Sequence, residues 1–194
     1  ILRACFALLG EEMPDREVIV RLDQVLSGAR KALSLPHQLR AAVVNGTLVL
    51  YRPTPKWQQK SVGIGGITTL GIGGLRLHAK LTTESSSIPK RQRLAQKVGL
   101  DWRKISPPLV VRPIQAGDRF QPLGLNGTKK VGDFLTDRKL PSIYRDEIPV
   151  VCDRHGIVWL GGCEIAERVK RSSKTKEVLI LEIVGNKKGV GKTV

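Results

Sequence analysis

Hydrophobic residues in the first sixty positions recur first at helical and then at strand-like spacing. Two short helices are predicted, over residues 1–9 and about 16–27, with Asp15 as the N-cap of the second. In residues 39–51, two β-favouring runs flank an Asn-Gly pair at 45–46. Because Asn-Gly adopts the positive backbone angles of a type I′ turn, this stretch predicts a β-hairpin.

The middle of the chain changes from glycine-rich to serine-rich and basic sequence. Residues 61–74 contain six glycines without the GxGxxG spacing of a nucleotide loop, so we expect turns between short strands. Apolar and polar residues alternate over 75–81, which is typical of a strand. A serine-rich loop follows, and then a short basic helix that Gly99 would close.

Beyond the Pro-Pro step at 107–108, the pattern favours several strands and one helix. Strands are predicted at 109–112, 149–152, 157–160 and 178–183, the middle two forming a hairpin. Thr128 is placed to cap a helix that runs to about Lys139. Strands with a single helix in this order indicate an α+β fold rather than a doubly wound sheet.

These elements predict two small domains. Residues 1–106 would form an amino-terminal helix pair with β-hairpins, and residues 107–184 a carboxyl-terminal layered α+β domain. Residues 185–194, with lysines among glycines, are typical of a flexible basic tail. The sequence begins at Ile1 rather than Met, and we expect it to be part of a longer protein whose amino-terminal region is missing.

The charge of the chain favours a polyanionic partner. Its 194 residues include 33 basic and 17 acidic ones, for a formal net charge of +16. The basic excess is four in residues 1–60, six in 61–107 and six in 108–194, so it does not come from one tail. A hydrophobic content of 41% excludes disorder, and no run of about 18 apolar residues could span a membrane. Nucleic acid is therefore favoured over an acidic membrane surface, the alternative being a basic surface that only maintains solubility.

Residues with catalytic or metal-binding chemistry are few and scattered. Three cysteines without a CxxC pair argue against disulfides and a zinc site and indicate a reducing, cytoplasmic setting, with Cys152 and Cys163 expected in the core. The three histidines lie outside any recognisable nucleophile motif. The terminal GVGKT lacks the upstream glycine and the following helix of a Walker A loop. We predict no catalytic residue and no metal site in this chain.

Basic residues flank both ends of the predicted 128–139 helix. Lys129 and Lys130 fall in its first turn, where the helix dipole disfavours a cation by about 0.3–1 kcal/mol. A bound anion such as phosphate would compensate, because it meets two ammonium groups and free backbone N–H groups. Arg138 and Lys139 lie at the other end. The alternative is an ordinary solvated helix whose own aspartates offset the charge.

A longer series of residues joins these cations into one pattern. It consists of Val111-Arg112, Gly117-Asp118-Arg119-Phe120, Pro122-Leu123-Gly124, Gly127-x-Lys129-Lys130, Phe134-Leu135-x-Asp137-x-Lys139-x-Pro141, Arg145-Asp146-x-x-Pro149-Val150-Val151, Ile157-Val158-Trp159-x-x-Gly162 and Lys170. The pattern resembles the carboxyl-terminal domain of tRNA(Ile)-lysidine synthases over about residues 108–183. Residues 1–53 are similar to the family's preceding domain, less distinctively. The terminal domain is also similar to an α+β domain in the β chain of phenylalanyl-tRNA synthetase.

The resemblance implies a role in tRNA modification. The family ligates lysine to the wobble cytidine of an isoleucine tRNA and uses ATP, with Mg, to activate that cytidine. Its catalytic Ser-Gly-Gly-x-Asp-Ser loop is absent from this chain, so we expect no ATP binding and no activity from the chain alone. The family's terminal domain grips the tRNA acceptor stem, while the preceding domain helps to place the anticodon loop.

The resemblance also implies which residues contact RNA. They are Arg112, Arg119, Lys129, Lys130, Arg138, Lys139 and Arg145. Asp118 is expected to orient Arg119 or to cap a turn. Because only eight residues are aromatic, few can stack on bases, which favours a structured stem over a single strand. The alternative function is a non-catalytic RNA-binding or protein-interaction module of another translation protein, and the sequence leaves a homodimer open.

Overall fold

The computed structural model describes residues 15–30, 32–83 and 96–185. The chain divides between Pro53 and Thr54 into two compact units, and each unit has its own hydrophobic core. Three predicted segments lie outside the described residues: the helix at 1–9, the serine-rich loop with the start of the basic helix at 85–95, and all but the first residue of the tail at 185–194.

The described part of the first unit contains one helix and a three-stranded antiparallel sheet. Its elements are α1 (Arg16–Leu26), β1 (Ala32–Ser34), β2 (Arg40–Val44) and β3 (Thr47–Tyr51), with the strands in chain order. The predicted N-cap is confirmed, because the Asp15 carboxylate accepts a hydrogen bond of 2.8 Å from the Val18 N–H. The predicted hairpin is also confirmed, with φ of 50° at Asn45 and 79° at Gly46. Leu22 and Val25 of α1 pack against the sheet in a small core.

The described residues of the second unit form two larger antiparallel sheets, a two-stranded ribbon, one α-helix and three short 3-10 helices. The bounds are β4 (Lys60–Val62), β5 (Ile67–Thr69), β6 (Arg76–Thr82), β7 (Lys97–Asp101), β8 (Leu109–Arg112), β9 (Arg119–Phe120), β10 (Lys129–Lys130), α2 (Val131–Asp137), β11 (Val150–Asp153), β12 (Gly156–Leu160), β13 (Glu164–Ile165) and β14 (Val178–Val184). One sheet has the order β13-β12-β11-β8-β4 and the other β5-β6-β14-β7, while β9 pairs with β10. The expected α+β class, with antiparallel sheets and few helices, is confirmed.

The expected boundary at 106/107 does not divide the structure. Strand β4, from before that position, pairs with β8, and Val62 lies opposite Leu109. Strand β14 pairs with β6 on one side and β7 on the other. Both large sheets therefore combine strands from either side of 107, and Pro107-Pro108 lies in a connection inside one folded unit.

One continuous hydrophobic cluster holds the second unit together. It joins buried residues of both large sheets, such as Val151 and Leu181, to Leu135 of α2. The two phenylalanines of β9 and α2, Phe120 and Phe134, meet edge to face with ring centroids 5.2 Å apart. This contact fixes the ribbon against the helix. No helix in the described part of the chain is long and apolar enough to cross a membrane.

Two helix boundaries differ from the prediction. Gly99 lies inside β7 instead of ending a helix, because Val98 and Leu100 point into the core beside β14. Helix α2 begins at Val131 after Lys130, not after Thr128, and Lys130 supplies no side-chain cap. At Gly99, pairing of β7 with the distant strand β14 replaces the local helical preference. At Lys129 and Lys130, pairing of β10 with β9 does the same.

Candidate nucleic-acid interface

Two exposed cations face each other across the β9–β10 ribbon. Arg119 pairs with Lys130 in the antiparallel register, and Phe120 pairs with Lys129. Because side chains alternate along a strand, burial of Phe120 turns Arg119 outward, beside Lys130. Like charges directly opposite each other destabilise a strand pair. Among the described residues, neither side chain has a hydrogen-bonding or acidic partner, so the pair can accept an anion.

A third exposed cation stands at the carboxyl end of α2. Lys139 has a φ of 56°, in the left-handed region that usually requires glycine. Its N–H donates to Thr136 O at 2.9 Å, and the Leu140 N–H donates to Leu135 O at 2.9 Å, which is the bond pattern of a Schellman motif. The Lys139 side chain is exposed and makes no ion pair within the described residues.

Two further cations of the predicted set form surface ion pairs. Lys129 contacts Asp137, and Arg138 donates to Glu164 at 2.9 Å. The Arg138 guanidinium also lies 4.9 Å from the centre of the Phe134 ring. Partly exposed pairs of this kind contribute little to stability, so an incoming phosphate could compete for either cation.

Arg112 and Arg145 are held by the protein itself. Arg112 donates two hydrogen bonds of 2.8 Å to Asp118, and the two side chains are only 13% and 10% exposed. Arg145 donates to the Leu140 carbonyl at 2.9 Å and to the Thr136 hydroxyl at 3.0 Å. Arg145 therefore supports the turn that carries Lys139, and both arginines already have partners within the protein.

Asp118 orients Arg112 and not Arg119, which corrects one part of the prediction. The other part is confirmed, because its carboxylate also caps a turn by accepting from the Gln115 N–H at 2.8 Å. Burial raises the pKa of Asp118, but the hydrogen bonds from Arg112 and Gln115 outweigh it and hold the pKa below its ordinary value. The carboxylate stays ionised and fixes the loop that precedes β9.

An ion pair with a buried carboxylate, which the sequence did not indicate, lies elsewhere in the second unit. Asp153 has a fully buried side chain and accepts from both guanidinium nitrogens of Arg168, at 2.6 and 3.0 Å. It also accepts from the Ser106 and His155 N–H groups at 3.0 and 2.8 Å. Asp153 and Arg168 are fifteen residues apart and follow no periodic pattern, so only the tertiary structure brings them together.

The cysteines of the second unit are packing residues. Burial raises the pKa of the Cys163 thiol to about 11, and it also raises the pKa of Cys152. Both thiols are therefore protonated at neutral pH and poor nucleophiles. The expectation that they lie in the core is confirmed for Cys152, whereas Cys163 is half-buried and packs against the core. The described segments contain no group of three or more His, Cys, Asp or Glu side chains arranged to hold a metal ion.

Comparison with known proteins assigns the class of this unit. Residues 109–181 match the family described as the TilS substrate C-terminal domain, and this part of the chain belongs to that family. A solved structure entitled "Crystal structure of TILS C-terminal domain" superposes with a TM-score of 0.57 over 67% of this chain and 98% of that one, at 24% identity. The fold is thus shared with that domain.

Two relatives of this chain carry the same name. A tRNA(Ile)-lysidine synthase of Caldanaerobacter subterraneus subsp. tengcongensis is 32% identical over 77% of this chain and 32% of its own length. The synthase of Symbiobacterium thermophilum is 28% identical over 82% of this chain and 34% of its own length. The resemblance to the carboxyl-terminal region of tRNA(Ile)-lysidine synthases is confirmed. The chain spans about a third of the length of these two relatives.

Proposed function

We propose that this chain is the tRNA-binding part of a tRNA(Ile)-lysidine synthase, a cytoplasmic ligase that joins lysine to the wobble cytidine of an isoleucine tRNA. The family of residues 109–181 and the names of the relatives support this assignment. The chain contains no Ser-Gly-Gly-x-Asp-Ser loop, so we assign ATP, Mg and the chemical steps to the remainder of the enzyme. The role of this chain is to hold the substrate.

The observation that carries the proposal is the opposition of Arg119 and Lys130 across the ribbon. Holding two like charges side by side costs free energy, and a bound phosphate would recover it because it neutralises both. Lys139 supplies a third exposed cation at the carboxyl end of α2, the helix that directly follows β10. The ribbon is rigid because Phe120 is buried against Phe134, so the charges are positioned before binding.

The few exposed aromatic side chains favour a folded stem as the ligand. Trp57, Trp159, Phe120 and Phe134 are buried, and no aromatic residue in the described part of the second unit is fully exposed. Single-stranded RNA is usually held by stacking bases on aromatic platforms. A duplex is recognised instead by its shape and its phosphates, which suits exposed cations. We therefore assign the acceptor stem of the tRNA to this surface.

Binding across a salt series tests this proposal. The chain is titrated with an isoleucine tRNA and with a single-stranded RNA of equal length, and log Kd is plotted against log salt concentration. We expect a preference for the tRNA and a salt slope that falls by about 1.5–2 when Arg119 and Lys130 are both changed to Ala. The matched control is Lys174→Ala with Lys176→Ala, which removes two exposed charges elsewhere in the same unit.

Two results would count against the proposal. Equal binding to both RNAs, abolished together by salt, would mean that the net charge of +16 is only general attraction. Equal loss of slope in the ribbon variant and its control would mean that the ribbon has no special part in binding. Recovery of protein partners after nuclease treatment, without RNA binding, would favour a protein-interaction module.

A further inference from the structure

The loop between β9 and β10 exposes two large apolar side chains. Leu123 is 38% and Leu125 42% exposed, and both lie at the tip of the ribbon that carries Arg119 and Lys130. Exposed leucines are common singly, but these two lie two residues apart on one loop. Pro122 precedes them and Gly124, with a φ of 79°, separates them, so the loop turns sharply there.

The loop is fixed to the body of the unit, although its tip is exposed. The Leu123 N–H donates to the Ile165 carbonyl at 3.1 Å, and the Gly124 N–H donates to the Glu167 carboxylate at 2.9 Å. Glu167 in turn donates its N–H to the Gln121 carbonyl at 2.8 Å. Hydrogen bonds from the Lys170 ammonium and the Gly124 N–H lower the pKa of Glu167, so this anchor stays charged at neutral pH.

The ribbon combines two kinds of contact surface, an apolar tip and a basic base. The cations at its base attract phosphate, while the leucines can only gain by leaving water against another apolar surface. The hydrogen bonds to β13 and to Glu167 anchor the backbone at Leu123 and Gly124, and both leucines are exposed on this anchored loop. A partner for this ribbon must therefore present phosphates close to a non-polar surface.

We propose that Leu123 and Leu125 pack against the ribose surface of the shallow minor groove of an RNA duplex, while Arg119 and Lys130 contact the phosphates that border it. This inference rests on the proposed tRNA-binding function and specifies which surface of the RNA the same ribbon contacts. The minor groove of A-form RNA is wide and shallow and exposes ribose, whereas its major groove is too narrow for a protein loop. Leucine offers no hydrogen bond to base edges, so the contact is to shape and not to sequence.

Salt dependence separates the apolar contact from the ionic one. Changing Leu123 and Leu125 to Ala removes an apolar contact that releases no counterions. We expect affinity for a duplex RNA to fall about tenfold with an unchanged salt slope, because each leucine has about two fifths of its surface left to bury. The Arg119 and Lys130 double variant should show the opposite behaviour, with a reduced slope. Ile67→Ala, which truncates another exposed apolar residue of the same unit, is the control and should leave affinity unchanged.

The choice of RNA decides between the minor groove and other apolar contacts. The probe is a duplex closed by hairpin loops at both ends, compared with the same duplex left open and with a DNA duplex of equal sequence. Retained binding to the closed RNA, and a larger leucine effect on RNA than on DNA, are the expected results. Loss of binding on closing the ends would mean that the leucines stack on a terminal base pair, which contradicts the inference.

The outcomes keep this inference distinct from the proposed function. If the cation variant lowers the salt slope while the leucine variant binds as the parent does, the minor-groove contact is wrong and tRNA binding stands. If the parent chain binds no RNA, both are wrong. If the leucine variant changes only self-association of the chain, the tip is a protein contact. Thermal unfolding checks that each variant is folded, and Leu125→Ala alone replaces the double variant if that one unfolds.

Discussion

Lys139 offers a substitution that should raise stability and lower RNA binding at the same time. The residue lies just past the end of α2 with a φ of 56°, where its side chain is exposed and no acidic group in the described residues meets it. Glycine is the usual residue at this place in a Schellman motif. A lysine that persists in an unfavourable backbone conformation suggests a use for its charge. The informative change is Lys139→Gly.

The expected gain in stability follows from the backbone angle. A residue with a Cβ atom costs about 1–2 kcal/mol in the left-handed region, and glycine avoids that cost. Glycine also gives the unfolded chain more freedom, which takes back about 0.4–1 kcal/mol. We therefore expect Lys139→Gly to increase the unfolding free energy by about 0.5–1 kcal/mol. For a unit of this size that corresponds to a Tm about 2–4 °C higher.

Two measurements on the same samples test the two effects. All three tryptophans of the chain, Trp57, Trp102 and Trp159, lie in the second unit, so their fluorescence reports its unfolding directly. The salt slope of tRNA binding should decrease by up to about 0.9 when one phosphate contact is lost. Lys139→Arg keeps the charge and the backbone cost, so it should bind and unfold as the parent does.

Two results would refute this reasoning. A Tm for Lys139→Gly equal to or below that of the parent would mean that the left-handed conformation carries no cost at this turn. A salt slope equal to that of the parent would remove Lys139 from the interface, while leaving Arg119 and Lys130 in it. Lys139→Asn distinguishes charge from conformation, since asparagine tolerates the left-handed region without a charge.

Further predictions concern the core of the second unit. Asp153→Asn should lower the unfolding free energy by about 2–4 kcal/mol in urea unfolding, because it leaves Arg168 without its buried charge partner. The control Glu182→Gln, at the exposed pair with Lys97, should lower it by less than about 0.5 kcal/mol. Burial raises the pKa of Asp153, but its hydrogen bonds from Arg168, Ser106 and His155 hold the pKa below the ordinary 3.8. The stability that Asp153 contributes is therefore complete above about pH 5 and declines as the pH falls further, and Asp153→Asn should flatten that decline. Gly161→Ala should destabilise by about 1–3 kcal/mol in the same assay, since a Cβ there would lie 2.7 Å from Pro149 Cγ. Gly132→Ala, in an exposed helical position with open space around it, should instead stabilise by about 0.5–1 kcal/mol.

Local signals predicted the elements whose geometry depends on neighbouring residues. The cap at Asp15 and the turn at residues 45–46 are encoded within a few positions, and both are as predicted. Alternating apolar and polar residues likewise predicted β6, and short apolar runs predicted β8 and β14. In each case the residues that decide the structure are adjacent or two to four positions apart.

Features that depend on distant pairing could not be predicted in the same way. The division of the chain was expected at 106/107 because two prolines stand there, yet β4 and β8 pair across that point. The sequence assigned all seven cations to RNA contact alike. Only the fold distinguishes Arg112, which is held by Asp118, from the exposed Arg119. The sequence shows which residues are charged, but it does not show which of them already form an ion pair or a hydrogen bond within the protein.

The position of β14 between β6 and β7 has a consequence for how this unit can be made or divided. The family match begins at residue 109, so it contains most of β14 but neither of its neighbours, and it also lacks β4 beside β8. A protein cut at 109 would expose two unpaired edges of β14, which favours association between copies. During synthesis, β6 and β7 likewise stay without their shared neighbour until β14, the last of the described strands, has left the ribosome. The smallest fragment of this unit that folds on its own should therefore begin near Thr54, well before residue 109, where the family match begins.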